Sequence, residues 1–484
     1  MKTKSIQYNF LFNLSNTLLK IIFPLIVFPY VSRVLLADGI GRVNYSMGVI
    51  NYFIILSTLG IPIYGIREMA KTKGNRLKEL TSFSQLFAVN ILLVLLSYSV
   101  LVLFIFTGII ESEVNLILIN SLLIVFSLFE AEWYFQGIED YKFITLRNLV
   151  VKIIALALVF IFVQSKSDYN AYALIMVFAL GGNAIVNAWF FVHRFGKKLL
   201  ERFSFRAFQL AVKEHLSLVI TSSLLAVMGS IYLNLDTVMI GYFSSKAEVG
   251  IYTAPMRIVR LAITIILALN TVMIPKATQF FEKGETVKWK EIINITLRYI
   301  FFVSLPAILL LYYYAEDLIL LYAGESFRGS IPVLQILVLL IFTVSLSNLC
   351  GMQILFPGKK EKKFLIAVTL GAGLNFTLNL ILIPNYQAVG ASVASLITEF
   401  LIAVVLLYFT KNYFSLSSLL QLKNYFIALL LMGTSLYLVQ QFFPCNNLVC
   451  RIIALVVASL IYLVTLWLLK DELLLRKKKH AKTQ

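Results

Sequence analysis

Apolar residues along this chain come in runs of about 20, each followed by a short polar segment, and a helix needs about that many to cross a bilayer. Fourteen runs are legible, over residues 9–34, 43–66, 84–109, 114–137, 147–164, 169–192, 216–241, 250–275, 297–315, 331–356, 364–383, 389–410, 424–443 and 451–470. Two of them carry a polar stripe. In the first, Asn9, Asn13, Asn16 and Lys20 are spaced four, three and four residues apart, and in the eighth Thr253, Arg257, Arg260 and Thr264 repeat that interval. Such spacing puts each set on one helical face. The pattern predicts an all-α polytopic membrane protein with about 14 transmembrane helices.

Composition agrees with the pattern. The 484 residues are 60% hydrophobic and 14% charged, where soluble domains carry about 25% charged residues. The longest connection, His193–His215, is linker-sized and too short for a soluble domain. The net charge of +18 suggests nucleic acid until its distribution is read. With the amino terminus inside, 32 of the 42 Lys and Arg fall on inner segments and 6 on outer ones, and Lys20, Lys152, Arg257 and Arg260 lie within spans. The positive-inside rule then places both termini in the cytoplasm and makes the basic loops topology signals and contacts to anionic lipid heads, not a nucleic-acid surface. The first run is too long for a signal-peptide core and no small-residue cleavage site follows, so it is expected to remain as a span. The three His and three Cys have no metal-ligand spacing. Cys350 reads as a packing residue, and Cys445 and Cys450 flank a short outer loop, where a disulfide is one reading.

A cation at the centre of a membrane helix costs roughly 2.5 kcal/mol or more, so Lys20, Arg257 and Arg260 need water or a partner. For the eighth span two readings stand: a face turned to water or an anionic ligand, or a structural pair bonded to neighbouring helices. For the first span they are a water-lined cavity, or asparagines bonded across helices with Lys20 snorkelling inward. Three acids are candidates for proton or sodium coupling. Asp236 lies near the outer end of the seventh span, where an acid is either simply hydrated or part of a proton relay, Glu130 lies in the fourth with Lys20 or Lys152 as candidate mates, and Glu399 lies midway along the twelfth, where a carboxyl is expected to be protonated or paired.

A turn at Ala37–Gly41 leads into the second span. From there Gly41-Arg-Val-Asn-Tyr-Ser-Met47 aligns with Gly250-Ile-Tyr-Thr-Ala-Pro-Met256, at equivalent places in two halves, as in parallel six-span repeats. The expected organisation is a six-helix lobe over 1–192, a cytoplasmic linker over 193–215 and a second lobe over 216–411. Residues 412–484 then add two helices, poor in polar residues and read as lipid-facing, and the basic tail Arg476–Lys479.

At this point the chain resembles the polysaccharide-transporter family of the multidrug/oligosaccharidyl-lipid/polysaccharide exporter superfamily. The matching pieces are Tyr30-Val-Ser-Arg-Val-Leu with Gly39-Ile-Gly41, then Leu59-Gly-Ile-Pro-Ile-Tyr-Gly-Ile-Arg-Glu-Met-Ala-Lys71 and Trp133-Tyr-Phe-Gln-Gly-Ile-Glu139. Further on come Leu235-Asp-Thr-Val-Met-Ile-Gly241, Val249-Gly-Ile-Tyr252 and Ile383-Pro-Asn-Tyr-Gln-Ala-Val-Gly-Ala-Ser392. The pieces cover most of the chain in the family's order. The resemblance implies two six-span lobes facing across a V-shaped cavity, plus two extra spans. It implies a flippase of the cytoplasmic membrane that moves an undecaprenyl-diphosphate-linked oligosaccharide from the inner to the outer leaflet. Membrane lipids, a polysaccharide polymerase and chain-length machinery are the implied partners.

Lys20, Arg257 and Arg260 would then offset the diphosphate charge, and Asn13, Asn16, Thr253 and Thr264 would bond sugar hydroxyls. No cofactor is expected. With no Walker A loop, energy would come from an ion gradient, with H+ or Na+ as the coupling ion, or from consumption of the product outside. A lipid II flippase and a multidrug exporter of the same superfamily are the alternatives within transport, the latter disfavoured by the basic character of the buried charges. A membrane polysaccharide polymerase would need clustered catalytic groups, which the short outer insertion Ala315–Ser330 does not offer.

Overall fold

The computed structural model describes residues 6–196, 204–414, 416–442 and 448–475, and they contain helices and no strand. Lys2, Lys4, Cys445 and the Arg476–Lys479 tail fall outside the described residues. Ten helices are long and apolar enough to cross a membrane by length and composition. Two of these runs, Leu11–Thr72 and Glu361–Tyr413, join consecutive expected spans. They are divided by single non-helical residues, Leu36 (φ 59°, ψ −176°) and Gln387 (φ 53°, ψ −130°). Each of the fourteen expected runs has a helical counterpart, and the chain is an all-α polytopic membrane protein.

The helices of the first half are α1 Ile6–Thr58, α2 Ile61–Thr72, α3 Arg76–Phe106, α4 Val114–Phe126, α5 Glu132–Gly137, α6 Tyr141–Phe162, α7 Tyr169–Gly181 and α8 Asn183–Phe195. Then follow α9 Phe205–Phe243, α10 Lys246–Glu282, α11 Thr286–Tyr313, α12 Ala315–Tyr322, α13 Ser330–Leu337, α14 Leu340–Asn348, the π-helix Leu349–Leu355, α15 Glu361–Thr410, α16 Leu416–Phe442, α17 Leu448–Leu468 and α18 Glu472–Leu475. Local chemistry sets several starts. Asn75 caps α3 by accepting from Lys78 N at 3.1 Å, and Ser204 caps α9 by accepting from Ala207 N at 3.2 Å. Pro62, in the first turn of α2, has no N–H to leave unsatisfied there.

Three boundaries differ from the pattern. The break after the first span falls on Leu36, not across Ala37–Gly41, and both Gly39 and Gly41 are helical. The second span ends at Thr58, and the amphipathic remainder forms the separate helix α2. The fourth span is broken. Helix α4 stops at Phe126 and α5 begins at Glu132, a non-helical backbone of the kind tolerated at membrane depth only inside protein or beside a wet cavity.

Two compact units divide the contacts: Met1–Thr253 with Leu321–Phe327, and Ala254–Leu320 with Arg328–Gln484. In the first unit, polar side chains sit inside and bond across helices. Asn120 Nδ2 donates to Ser46 Oγ at 2.8 Å, Ser97 Oγ to the Phe53 carbonyl at 2.6 Å and Asn90 Nδ2 to the Ser127 carbonyl at 3.1 Å. Large apolar side chains such as Phe106 (88% exposed) face outward, the distribution expected where the solvent is lipid. An aromatic cluster of Phe83, Trp133, Tyr134 and Phe191 ties α3, α5 and α8, and α2 packs along α5. Two of the sequence pieces quoted above, 59–71 and 133–139, therefore meet in the interior. The segment Leu321–Phe327 belongs to this unit because Phe28 stacks on Tyr322 with centroids 4.8 Å apart, and Arg33 donates to the Pro29 carbonyl at 2.5 Å and the Leu321 carbonyl at 2.6 Å.

In the second unit, α16 and α17 are pinned to the helices before them. Arg298 Nη1 donates to Gln421 Oε1 at 2.5 Å, Tyr462 OH to the Phe302 carbonyl at 3.1 Å and Tyr313 OH to the Leu436 carbonyl at 3.2 Å. Tyr314 OH donates to the Arg451 carbonyl at 3.2 Å, and Arg451 forms an ion pair with Asp317. Lipid-facing additions is therefore only half of the description: one side of each helix is exposed and apolar, and the other is bonded. Cys350 is fully buried, as a packing residue should be.

Candidate functional site

The polar face of the first span leads into a buried charged cluster in the first unit. Asn16 is buried and its Oδ1 accepts from Asn148 Nδ2 at 2.7 Å. Asn148 Nδ2 also donates to Glu132 Oε1 at 3.1 Å, and Arg147 Nη2 donates to the same oxygen at 3.3 Å. Lys20 Nζ lies 3.6 Å from Glu132 Oε2. Arg147 bonds Asn187 Oδ1, and Asn187 Nδ2 donates to the Phe129 carbonyl at 2.7 Å. The Arg147 guanidinium also lies 5.7 Å from the ring centroids of both Phe135 and Phe143. The break between α4 and α5 is thereby fastened to α6 and α8, and its first helical residue, Glu132, faces Lys20.

The cluster corrects two expectations. Lys20 meets Glu132 rather than Glu130, which is exposed, and Lys152 is placed over the Phe23 ring, 4.5 Å from its centroid. Arg147, counted among the inner-loop cations, is buried with 2% of its side chain exposed. Arg298, counted likewise, is buried in the second unit. Removing both leaves the charge asymmetry large. The spacing alone does not single out Arg147 and Glu132, because a residue at a predicted helix end reads as loop. The signal that points to them is Asn148 beside Arg147, an amide pair partner for the Asn16 stripe.

The remaining candidates are spread out. Asn13 is exposed, with its carbonyl accepting from Thr17 Oγ1 at 3.0 Å, and the side chain of Asn9 lies outside the described residues. Thr253, Arg257, Arg260 and Thr264 share the single helix α10, with Arg257 half-buried and Arg260 and Thr264 exposed. Thr264 Oγ1 donates back to the Arg260 carbonyl at 2.7 Å. Asp236 accepts from Tyr252 OH at 2.6 Å. Glu399 is half-buried on α15.

Thr253 belongs to a different feature, in which the aligned segments meet one another. Asn44 Nδ2 donates to Thr253 Oγ1 at 2.7 Å, and these residues are 209 apart in the chain. A Cβ added at Gly41 would lie 1.6 Å from the Lys246 carbonyl oxygen, and one added at Gly250 would lie 2.2 Å from that of Ala37. Gly41 with Gly250 and Ala37 with Lys246 show the same interval of 209. The contact is reciprocal: each segment uses the same position to approach the backbone of its counterpart, as a local two-fold requires. The crossing is closed by charge. Arg42 pairs with Asp38 at 2.7 Å and Glu113 at 2.9 Å, and Lys246 Nζ sits 3.3 Å from the Tyr45 ring centroid and 3.2 Å from Ser112 Oγ.

The family model described as "Polysaccharide biosynthesis protein" matches residues 6–281, and the one described as "MatE" matches residues 222–381. A protein of Escherichia coli (strain K12) named as an O-antigen transporter is 25% identical over 403 residues, covering 80% of this chain and 92% of that protein. The capsular polysaccharide biosynthesis protein CapF of Staphylococcus aureus is 20% identical over 414 residues, covering 85% and 100%. Among solved structures, the lipid II flippase MurJ in an inward closed conformation superposes with a TM-score of 0.67 at 15% identity over 94% of this chain and 100% of that one. An inward-facing multidrug resistance MATE family transporter gives 0.61 at 13% identity over 81% and 93%. At such identities the structures share the fold.

Proposed function

The chain belongs to the polysaccharide biosynthesis protein family, and from that premise we propose that it is a flippase for undecaprenyl-diphosphate-linked oligosaccharide in the cytoplasmic membrane, supplying a surface polysaccharide. The names of the relatives in Escherichia coli and Staphylococcus aureus support the polysaccharide pathway. The observation that carries the choice of an anionic substrate is Lys20. It sits on a membrane helix, 56% exposed, in a cluster with more cationic than acidic groups: Lys20, Arg147 and Lys152 against Glu132 and Glu130. A cationic drug would meet repulsion there, and a diphosphate would meet attraction. Arg257 and Arg260 are proposed as the cations of the second unit that meet the diphosphate, and Asn13, Asn16, Thr253 and Thr264 as partners for sugar hydroxyls, each at the stage of transport that exposes it. Asp236, Glu130 and Glu399 are proposed as ion-coupling groups. Both termini are assigned to the cytoplasm, residues 216–411 to the second six-helix lobe, and a polymerase and chain-length proteins to the partners.

The test is leaflet accessibility of an undecaprenyl-diphosphate oligosaccharide in liposomes containing wild type, Lys20→Ala or Arg257→Ala/Arg260→Ala. Wild type is expected to expose the sugar on the far side and the variants to lose most of that movement while staying folded. Absence of movement by wild type with any diphosphate-linked sugar would falsify the reading. Ion coupling is tested in the same liposomes: movement indifferent to both a pH and a sodium gradient removes the three acids from the mechanism.

A further inference from the structure

The two oxygens of Glu132 are held very differently. Oε1 is fixed by Arg147 Nη2 at 3.3 Å and Asn148 Nδ2 at 3.1 Å, and Arg147 is buried to 2% exposure. Arg147 is itself fixed by Asn187, which holds the Phe129 carbonyl. Oε2 faces Lys20 Nζ at 3.6 Å, beyond hydrogen-bond length, and the lysine is 56% exposed. One side of the carboxylate is built into the protein, and the other holds a cation by charge alone without saturating its three donors. The pair spans α1 and the break before α5, so neither helix register nor a neighbouring loop requires it.

We propose that Glu132 is a positioning residue that parks Lys20 when no substrate is present and takes it back when the diphosphate leaves. This rests on the flippase reading above. A diphosphate carries more charge than a carboxylate and offers more acceptors, so it draws Lys20 off Oε2, while Arg147 and Asn148 keep Glu132 in place. Release is the harder step, because a departing diphosphate would strand a cation at membrane depth. Glu132 supplies the replacement anion at the same distance, and Lys20 changes partner without an unpaired stage. The carboxylate therefore weakens binding and speeds turnover.

Those two effects have opposite signs in a variant, which loss of structure cannot produce. Binding of undecaprenyl diphosphate to the protein in nanodiscs of zwitterionic lipid is measured together with flipping in liposomes. Glu132→Gln, which keeps the acceptor for Arg147 and Asn148, is expected to bind on the order of tenfold more tightly, the scale of an ordinary coupling between two groups, and to flip more slowly. In a Lys20→Ala background the same substitution is expected to leave binding unchanged. Tightening that persists without Lys20, or weaker binding and slower flipping together, overturns the inference. Tightening equally large for phosphatidylglycerol overturns it too, since Lys20 would then read any lipid phosphate. If Glu132→Gln does not fold, Glu132→Asp keeps a charge for Arg147 and draws it back from Lys20. It is expected to tighten binding by less, and wild-type affinity there overturns the inference. Wild type that binds no diphosphate lipid sinks the flippase reading instead, so the two failures are told apart.

Discussion

His215 shows what one residue within a helix can control. Its Nδ1 lies 2.9 Å from Tyr64 OH, tying α9 to α2, and its Nε2 is buried without a partner. It lies one residue before the segment assigned to the membrane. Burial holds the imidazole below the ordinary histidine pKa; Glu68 and Glu214 pull it upward, Lys71 downward, and burial prevails. The sign follows. As pH falls the unfolded chain takes up the proton first, so the folded state keeps its full stability above the ordinary histidine pKa of about 6.5 and loses stability as pH drops below it. Thermal unfolding in detergent between pH 8 and pH 5 should show wild type losing stability faster than His215→Gln. At pH 8 the two should differ by no more than about 1 kcal/mol, the net worth of one hydrogen bond. Equal slopes would mean that the proton is accepted elsewhere.

At the scale of elements, the crossing of α1 with the start of α10 rests on two glycines. The Ala37–Gly41 stretch reads as a turn because it holds two glycines near an aspartate. In the folded chain Gly41 is there for close approach, not for turning, and the turn falls on Leu36 instead. A side chain at Gly41 or Gly250 meets backbone, which cannot rotate away as a side chain can. Gly41→Ala and Gly250→Ala are each expected to lose at least the roughly 1–3 kcal/mol typical of overpacking, and by similar amounts because the contact is reciprocal. Gly373→Ala is the control. Its added Cβ meets nothing within 4 Å, and alanine is the better helix former by about 0.8–1.0 kcal/mol. Unfolding temperatures of the three variants check both statements, and a large loss at Gly373 with none at Gly41 would reverse the assignment.

At the scale of the whole molecule, α16 and α17 belong to the second unit by hydrogen bonds as well as by apolar contact. Ending the chain after residue 414 strips Gln421 from Arg298, a buried guanidinium, and removes the carbonyls to which Tyr313 and Tyr314 donate. Taking a partner from a buried charge costs far more than losing an exposed pair. The truncated protein is therefore expected to yield several-fold less monodisperse material in detergent, as read by size-exclusion chromatography. Arg451→Ala, which removes a partly exposed ion pair with Asp317 and keeps the backbone carbonyl that accepts from Tyr314, is expected to behave as wild type. Equal yields for the truncation would return α16 and α17 to the status of additions.

The amino-acid sequence by itself determined the number and order of the membrane segments, because crossing a bilayer demands about 20 apolar residues wherever it happens and that demand is local. It determined which helices carry a polar face, since 3.6 residues per turn converts spacing into direction. It also gave the register of the internal repeat, which the Asn44–Thr253 contact now places in space. Only the tertiary structure decided partners. That Lys20 faces Glu132 and not Glu130, that Arg147 is buried rather than a loop cation, and that α4 breaks before α5 all depend on groups brought together from four helices. Periodicity fixes the face a side chain takes, while its partner is set by long-range packing, and the electrostatics of a buried charge are decided by the partner.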